Sequence, residues 1–138
     1  VGRTCVGLGA ALHLVGKLGF SLDSTQLKRA GLDYWPKLNL TLHANWDEFL
    51  KTVPTEADLS FFSTHGTQTL WEKKFKQPVY LIFGSESHGF PKNFYTEFSG
   101  QLIRIPIGGD IRSLNLATAA GVAIFEAMRQ FSAEAIQR

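Results

Sequence analysis

Apolar positions along this chain come in short runs, broken by glycine and proline, with two longer stretches of helical period. Ala11 to Val15 is an apolar run ending at Gly16, which predicts a buried strand. Asp23 or Ser24 can cap a helix that runs to about Ala30 and stops at Gly31. Leu38, Leu40 and Leu42 alternate with Asn39 and Thr41, the period of a half-buried strand. Asn45 then caps a helix whose Trp46, Phe49 and Leu50 share a face and which ends before Pro54. Leu59 to Ser63 predicts a third strand, Thr64 to Thr67 a loop, and Leu70 to Lys73 a short helical turn. Pro78 to Phe83 is apolar, aromatic and β-branched, the clearest strand of the chain, cut at Gly84. Pro91 suits the first turn of a helix carrying Phe94 and Phe98. Leu102 to Ile105 makes a last strand before Pro106. Ser113 to Phe131 makes the longest helix, with Leu116, Ala120, Ala123, Ile124, Ala127 and Phe131 in one stripe.

Strands alternating with helices predict an α/β fold: a mostly parallel sheet covered by helices on both faces. The length, 138 residues, fits a single domain over 1–138. Val1 to Gly7 opens without a cap or turn signal. The expectation is therefore that the chain starts inside an element, with a first strand and part of a helix lying before it. Composition changes this picture little. With 44% hydrophobic and 19% charged residues, disorder and fibrous repeats are excluded. The single cysteine, Cys5, forbids an internal disulfide and a cysteine-cage zinc site, and reads as a small buried residue of a reduced, intracellular protein. No metal-ligand spacing joins His13, His43, His65 and His88, and no apolar run approaches a membrane span. The net charge of +2 permits an RNA partner without arguing for one.

Two predicted loops carry candidate chemistry, and both follow strands, where ligands of open α/β sheets bind. In Phe83-Gly84-Ser85-Glu86-Ser87-His88-Gly89-Phe90-Pro91 the two glycines allow close approach of backbone to a ligand or to another segment. Glu86 places a carboxylate in the loop. It also stands where a dinucleotide fingerprint would need its central glycine, which argues against a nicotinamide-binding domain. Taken alone this is a plain strand-to-helix turn. In Ile103 to Ala117 a strand runs through Gly108-Gly109 into the long helix. Ser113 is the natural N-cap there, and Asn115 is polar in an apolar register. Taken alone these are a cap and a solvated side chain.

Together the segments resemble a known pair. Leu81-Ile82-Phe83-Gly84-Ser85-Glu86 with Gly89, followed by Ile103-Arg104-Ile105-Pro106-Ile107 and Ser113-Leu114-Asn115-Leu116-Ala117, is similar to motifs 2 and 3 of the SpoU branch of the SPOUT methyltransferases. Arg3 then matches the arginine of motif 1. Lys28-Arg29-Ala30-Gly31-Leu32-Asp33-Tyr34 narrows the resemblance to the small tRNA (cytidine/uridine-34) 2′-O-methyltransferases, over residues 1 to about 131.

That resemblance implies a C-terminal α/β trefoil knot, a homodimer, and S-adenosyl-L-methionine (AdoMet) as cofactor. It implies tRNA as substrate and an RNA site that borrows from both subunits of a cytoplasmic enzyme, or an organellar one in a eukaryotic source. By position it assigns the cofactor pocket to Phe62, Gly84, Glu86, Ile105, Ser113 and Leu114. Arg3 and Asn115 take catalytic roles, and Lys28, Arg29, Tyr34 and Arg112 contact RNA. Phe62, Ile105 and Leu114 would wall the adenine, Gly84 would leave room for ribose and backbone, and Glu86 would organise the loop or meet the ribose. A guanidinium is a poor base, so Arg3 is the better candidate for holding phosphate and stabilising developing oxyanion charge. Asn115 would position the 2′-hydroxyl. The run Lys73-Lys74-x-Lys76 reads as a solvated face that could add phosphate contacts. The small residues of the last helix are expected to form the dimer face. Methylation of another RNA site, or an RNA-binding paralogue without catalysis, are the alternatives.

Overall fold

The structure, a computed structural model, describes residues 1–16 and 35–136. The predicted helix from Asp23 to Ala30, together with Lys28, Arg29 and Tyr34, lies outside the described residues. Among the described residues every strand pairing is parallel, and the chain divides into two compact units, Val1–Pro54 and Thr55–Arg138.

In the first unit, helix α1 (Gly2–Leu8) ends at Gly9, whose φ of 70° lets its N–H turn back to the last carbonyls of the helix. Cys5 is the buried residue of α1, and burial pushes its thiol pKa up. Strand β1 (Leu12–Val15) pairs in register with β2 (Leu40–His43). Helix α2 (Trp46–Leu50) follows, with the Asn45 side chain accepting from the Glu48 N–H at 2.9 Å, as its sequence predicts.

His13 of β1 and His43 of β2 stack with their ring nitrogens 2.9 Å apart, and Phe49 of α2 meets both rings edge-on. An N–H···N bond needs one neutral ring as acceptor. Burial and the neighbouring His43 both push the His13 pKa down. A depressed histidine pKa means that the unfolded chain takes up the proton first. Stability is therefore intact above the ordinary histidine range and is lost as pH falls through it to the lowered value. Melting temperature should drop over that window, and the slope should flatten in His13→Gln, which keeps a hydrogen-bonding side chain and cannot titrate. An equal slope in the variant would exclude this pair as the cause.

The second unit holds β3 (Asp58–Phe62), β4 (Gln68–Thr69), β5 (Val79–Phe83), α3 (Phe94–Glu97), β6 (Leu102–Arg104) and α4 (Leu116–Ile136). The strand order is β4-β6-β3-β5. Strand β3 is central, and its alternation sends consecutive rings to opposite faces. Phe62 joins Leu70, Phe75, Ile103, Ala123 and Ala127 in the core beneath α4. Phe61, fully buried, packs on the other face against Phe90, Phe94 and Phe98, with the Phe98 ring stacked at 4.3 Å. Helical and loop segments thus cover both faces of this sheet, as the pattern predicts.

Several boundaries differ from the sequence expectation. β4 sits where only a loop and turn are predicted, because two polar residues at a sheet edge carry no alternation. Pro91 lies before α3 and not in its first turn; its carbonyl accepts from the Phe94 N–H at 3.0 Å. The predicted dimer face of α4 is also corrected. Ala120, Ala123 and Ala127 are buried, and Phe131 packs against the same core, so these residues fill the interior of their own unit. Among the described side chains of α4, the large apolar ones left exposed are Val122, Phe125 and Met128. Among the described residues no helix is long and apolar enough to cross a membrane.

Candidate active site

Parallel strands end on the same side of their sheet, and loops leaving β3, β5 and β6 meet there. They enclose a cavity of about 630 Å³ lying wholly within the second unit. That volume is in the range of small-molecule sites. Phe62, Phe83, Ile105 and Leu114 supply apolar wall, and Phe62 and Phe83 stack with centroids 5.0 Å apart. Polar groups come from Ser63, Thr64 and His65 after β3, and from Ser85, Glu86 and Ser87 after β5. Arg112, Ser113 and Asn115 add a cation, a hydroxyl and an amide. Leu116 and Ala119, in the first turn of α4, also line the cavity, so the partly positive end of a long helix belongs to it.

Glycine builds the loop after β5 through the close approach to another segment that the sequence allows. The Ser85 N–H donates to the Gly89 carbonyl at 3.1 Å and the Gly89 N–H returns to the Ser85 carbonyl at 2.9 Å. The His88 N–H donates to Ser85 Oγ, and Gly89 has a φ of 68°. A Cβ on Gly84 would stand 2.4 Å from the Gly89 carbonyl carbon and 2.7 Å from the Phe90 nitrogen. The space in the Cβ direction of Gly84 is thus filled by its own loop, while Gly84 itself lines the cavity. The loop after β3 repeats the device, since a Cβ on Gly66 would stand 2.6 Å from the Ile103 carbonyl carbon. Tyr95 ties the two loops together. Its hydroxyl accepts from the Phe90 N–H at 3.3 Å and its ring meets His65 edge-on.

The N-cap of the long helix is corrected from Ser113 to Asn115. Asn115 Oδ1 accepts from the Thr118 N–H at 2.8 Å and its carbonyl accepts from the Ala119 N–H at 2.9 Å. α4 accordingly begins at Leu116, and Ser113 belongs to the loop over the cavity. Capping does not consume the Asn115 amide hydrogens, which are the donors suited to a hydroxyl oxygen. Asn115→Ala should cost about 1 kcal/mol of stability through the lost cap. Asn115→Asp keeps an acceptor at the cap and loses those donors. It should hold the melting temperature near wild type while turnover falls, and normal turnover in that variant would reduce Asn115 to a cap.

Of the residues singled out from sequence, Phe62, Gly84, Glu86, Ile105, Arg112, Ser113, Leu114 and Asn115 all line the one cavity. His88 lines it too. Arg3 lies on α1 of the first unit with its side chain exposed. The sequence reading missed Ser63, Thr64, His65 and Tyr95. The first three follow a clear strand within a loop containing Gly66, and that position was the available signal. Among the described residues no three His, Cys, Asp or Glu gather to hold a metal ion.

Comparison with known proteins bears directly on this cavity. The model of the SpoU rRNA Methylase family matches residues 1–125, a span that contains every cavity residue. The chain belongs to the SpoU methylase family. A relative named tRNA (cytidine(34)-2′-O)-methyltransferase, from Saccharophagus degradans, is 42% identical over 93% of this chain and 83% of its own length. A solved structure described as "Structural insights into the 2-OH methylation of C/U34 on tRNA" superposes with a TM-score of 0.88 at 46% identity. It covers 96% of this chain and 86% of its own. The AdoMet-bound rRNA methyltransferase from Sinorhizobium meliloti matches at a TM-score of 0.77 and 29% identity, over 92% of this chain and 49% of its own. The SpoU resemblance read from the two loop motifs and the mostly parallel α/β architecture are both borne out.

Proposed function

We propose that this SpoU methylase transfers a methyl group from AdoMet to the 2′-hydroxyl of the wobble nucleotide, cytidine or uridine 34, of tRNA. The observation that carries the reading is the coincidence of the two sequence motifs in a single cavity, in a chain whose relatives are named for that reaction. The cavity fits the cofactor chemically: an apolar wall from Phe62, Ile105 and Leu114 suits adenine, and the hydroxyls of Ser85 and Ser113 suit its polar groups. When bound, AdoMet supplies an electrophilic methyl group carried on a positively charged sulfur. Glu86 meets the ribose or steadies the loop. Asn115 orients the RNA 2′-hydroxyl. Arg3 holds the neighbouring phosphate and stabilises charge developing on the 2′-oxygen as its proton leaves. Arg112, Lys28, Arg29 and Tyr34 hold the RNA.

The working form is a homodimer in the cytoplasm, with the C-terminal segment knotted as the family resemblance implies. The exposed Val122, Phe125 and Met128 of α4 support the dimer, because three apolar side chains at helical spacing gain by being covered. A second reading, ribosomal RNA as substrate, is favoured by the family description and by the Sinorhizobium structure. Purified chain, labelled AdoMet and transcribed tRNA or ribosomal RNA fragments decide between them. Methylation of nucleotide 34, located by mass spectrometry of the ribose-modified digest, is the expected result. Label entering only ribosomal RNA overturns the tRNA assignment, and light scattering at a monomer mass overturns the dimer.

A further inference from the structure

Trp71 is 82% exposed. Most of a tryptophan's large apolar surface is normally buried, so a ring left almost wholly in water calls for an occupant. The backbone beneath it is firmly fixed. Leu70 and Phe75, on either side, are buried core residues. Thr69 and Glu72 cap one another: the Thr69 N–H and Oγ both donate to Glu72 Oε1, and the Glu72 N–H donates back to Thr69 Oγ. Those same contacts with Thr69 hold the Glu72 carboxyl below its ordinary pKa. Gln130 of α4 bridges the segment, accepting from the Phe75 N–H and donating to the Lys73 carbonyl. Asp58 binds Lys73 Nζ and the Lys76 N–H. Trp71 therefore stands on a fixed turn and not on a loose loop.

Lys73 is paired with Asp58, while Lys74 and Lys76 are exposed. Glu72 keeps its negative charge, since its partner Thr69 is neutral, so the two exposed lysines outnumber it. The turn also stands at the cavity end of the sheet. Thr69 pairs with Arg104, the Leu70 N–H donates to the Arg104 carbonyl, and the next residue, Ile105, lines the cavity.

We propose that Trp71, with Lys74 and Lys76, is a stacking platform for an unpaired nucleotide of the RNA substrate flanking the one that is methylated. This rests on the RNA-methyltransferase reading above and adds a surface to the RNA contacts named there. A ring face accepts any base, and the exposed Lys74 and Lys76, three and five residues further along the chain, supply cations for its phosphates. The ring sorts a single-stranded loop from a duplex, and the lysines add affinity without sequence preference.

The test uses the full chain and a fluorescein-labelled transcribed tRNA with cytidine at position 34, followed by polarisation over a series of salt concentrations. Trp71→Ala should weaken tRNA binding about tenfold, and Trp71→Phe should stay within about threefold because a smaller ring still stacks. The salt dependence should be unchanged in Trp71→Ala. It should be shallower by roughly 0.7–0.9 in Lys74→Ala and in Lys76→Ala, one phosphate contact each. Melting temperature and AdoMet affinity should stay at wild type in all four variants, as expected of exposed side chains. Wild-type tRNA affinity in Trp71→Ala overturns the proposal. So does a loss of binding accompanied by a fall to monomer mass, which would assign the ring to a contact between two copies of the chain. Binding is read without turnover, so methylation by the wild-type sample reports separately on the proposed function.

Discussion

Replacing Arg3 by alanine should lower turnover by roughly 10²–10³-fold, the usual cost of removing one charged or hydrogen-bonding group aimed at a developing oxyanion. AdoMet affinity should stay near wild type, because every residue lining the cavity belongs to the second unit and Arg3 to the first. Arg3→Lys should recover little, since an ammonium cannot reproduce the planar, two-pronged hydrogen bonding of a guanidinium. Folding should be unaffected, because the Arg3 side chain is exposed on α1. Single-turnover methylation of transcribed tRNA alongside calorimetric titration of AdoMet separates the two quantities. Undiminished turnover in Arg3→Ala would return Arg3 to the status of an ordinary solvated helix residue.

The second large effect is expected at Gly84, from a substitution as small as alanine. A methyl group there would meet the Gly89 carbonyl carbon at 2.4 Å, and backbone cannot swing aside as a flexible side chain can. The loop must open, losing the paired hydrogen bonds between Ser85 and Gly89. Two backbone hydrogen bonds at about 1 kcal/mol each correspond to roughly 30-fold in affinity if AdoMet binds only the closed loop. Gly84→Ala should therefore bind AdoMet at least that much more weakly. The core should still melt cooperatively, because residues 85–89 are exposed. By contrast Gly109→Ala, in the loop after β6 with open space around its Cβ position, should bind normally. Equal affinity in Gly84→Ala and wild type would show that loop closure plays no part in binding.

Much of this architecture is legible in the residue pattern, for physical reasons that also explain the misses. Val79 to Phe83 has no alternative to a strand, and the Ala120, Ala123, Ala127 stripe could only face a core. The pattern could not say which core, and small residues that suit a helix partner suit a sheet equally well. Ser113 and Asn115 are both good caps. The choice fell to Asn115 because the loop after β6 uses Ser113 over the cavity, a long-range outcome with no local signature. β4 is two residues held by pairing with β6, and nothing in Gln68-Thr69 announces it. The site divides in the same way. Eight of the residues named from the motifs line the cavity, because a motif records what the chemistry needs. Tyr95 and Gly66 carry no chemistry of their own and serve by where they pack, which only the folded chain reveals.

The cavity walls are drawn from Phe62 through Ala119, and the last of them arrives late in the chain. A ribosome that has delivered β3 has produced a loop that closes against strand backbone not yet made, since Gly66 seats on Ile103 and Arg104. Cofactor capture is therefore an ability the polypeptide gains only after the first turn of α4 has emerged. Fragments ending before that helix carry most of the motif residues and none of the assembled pocket.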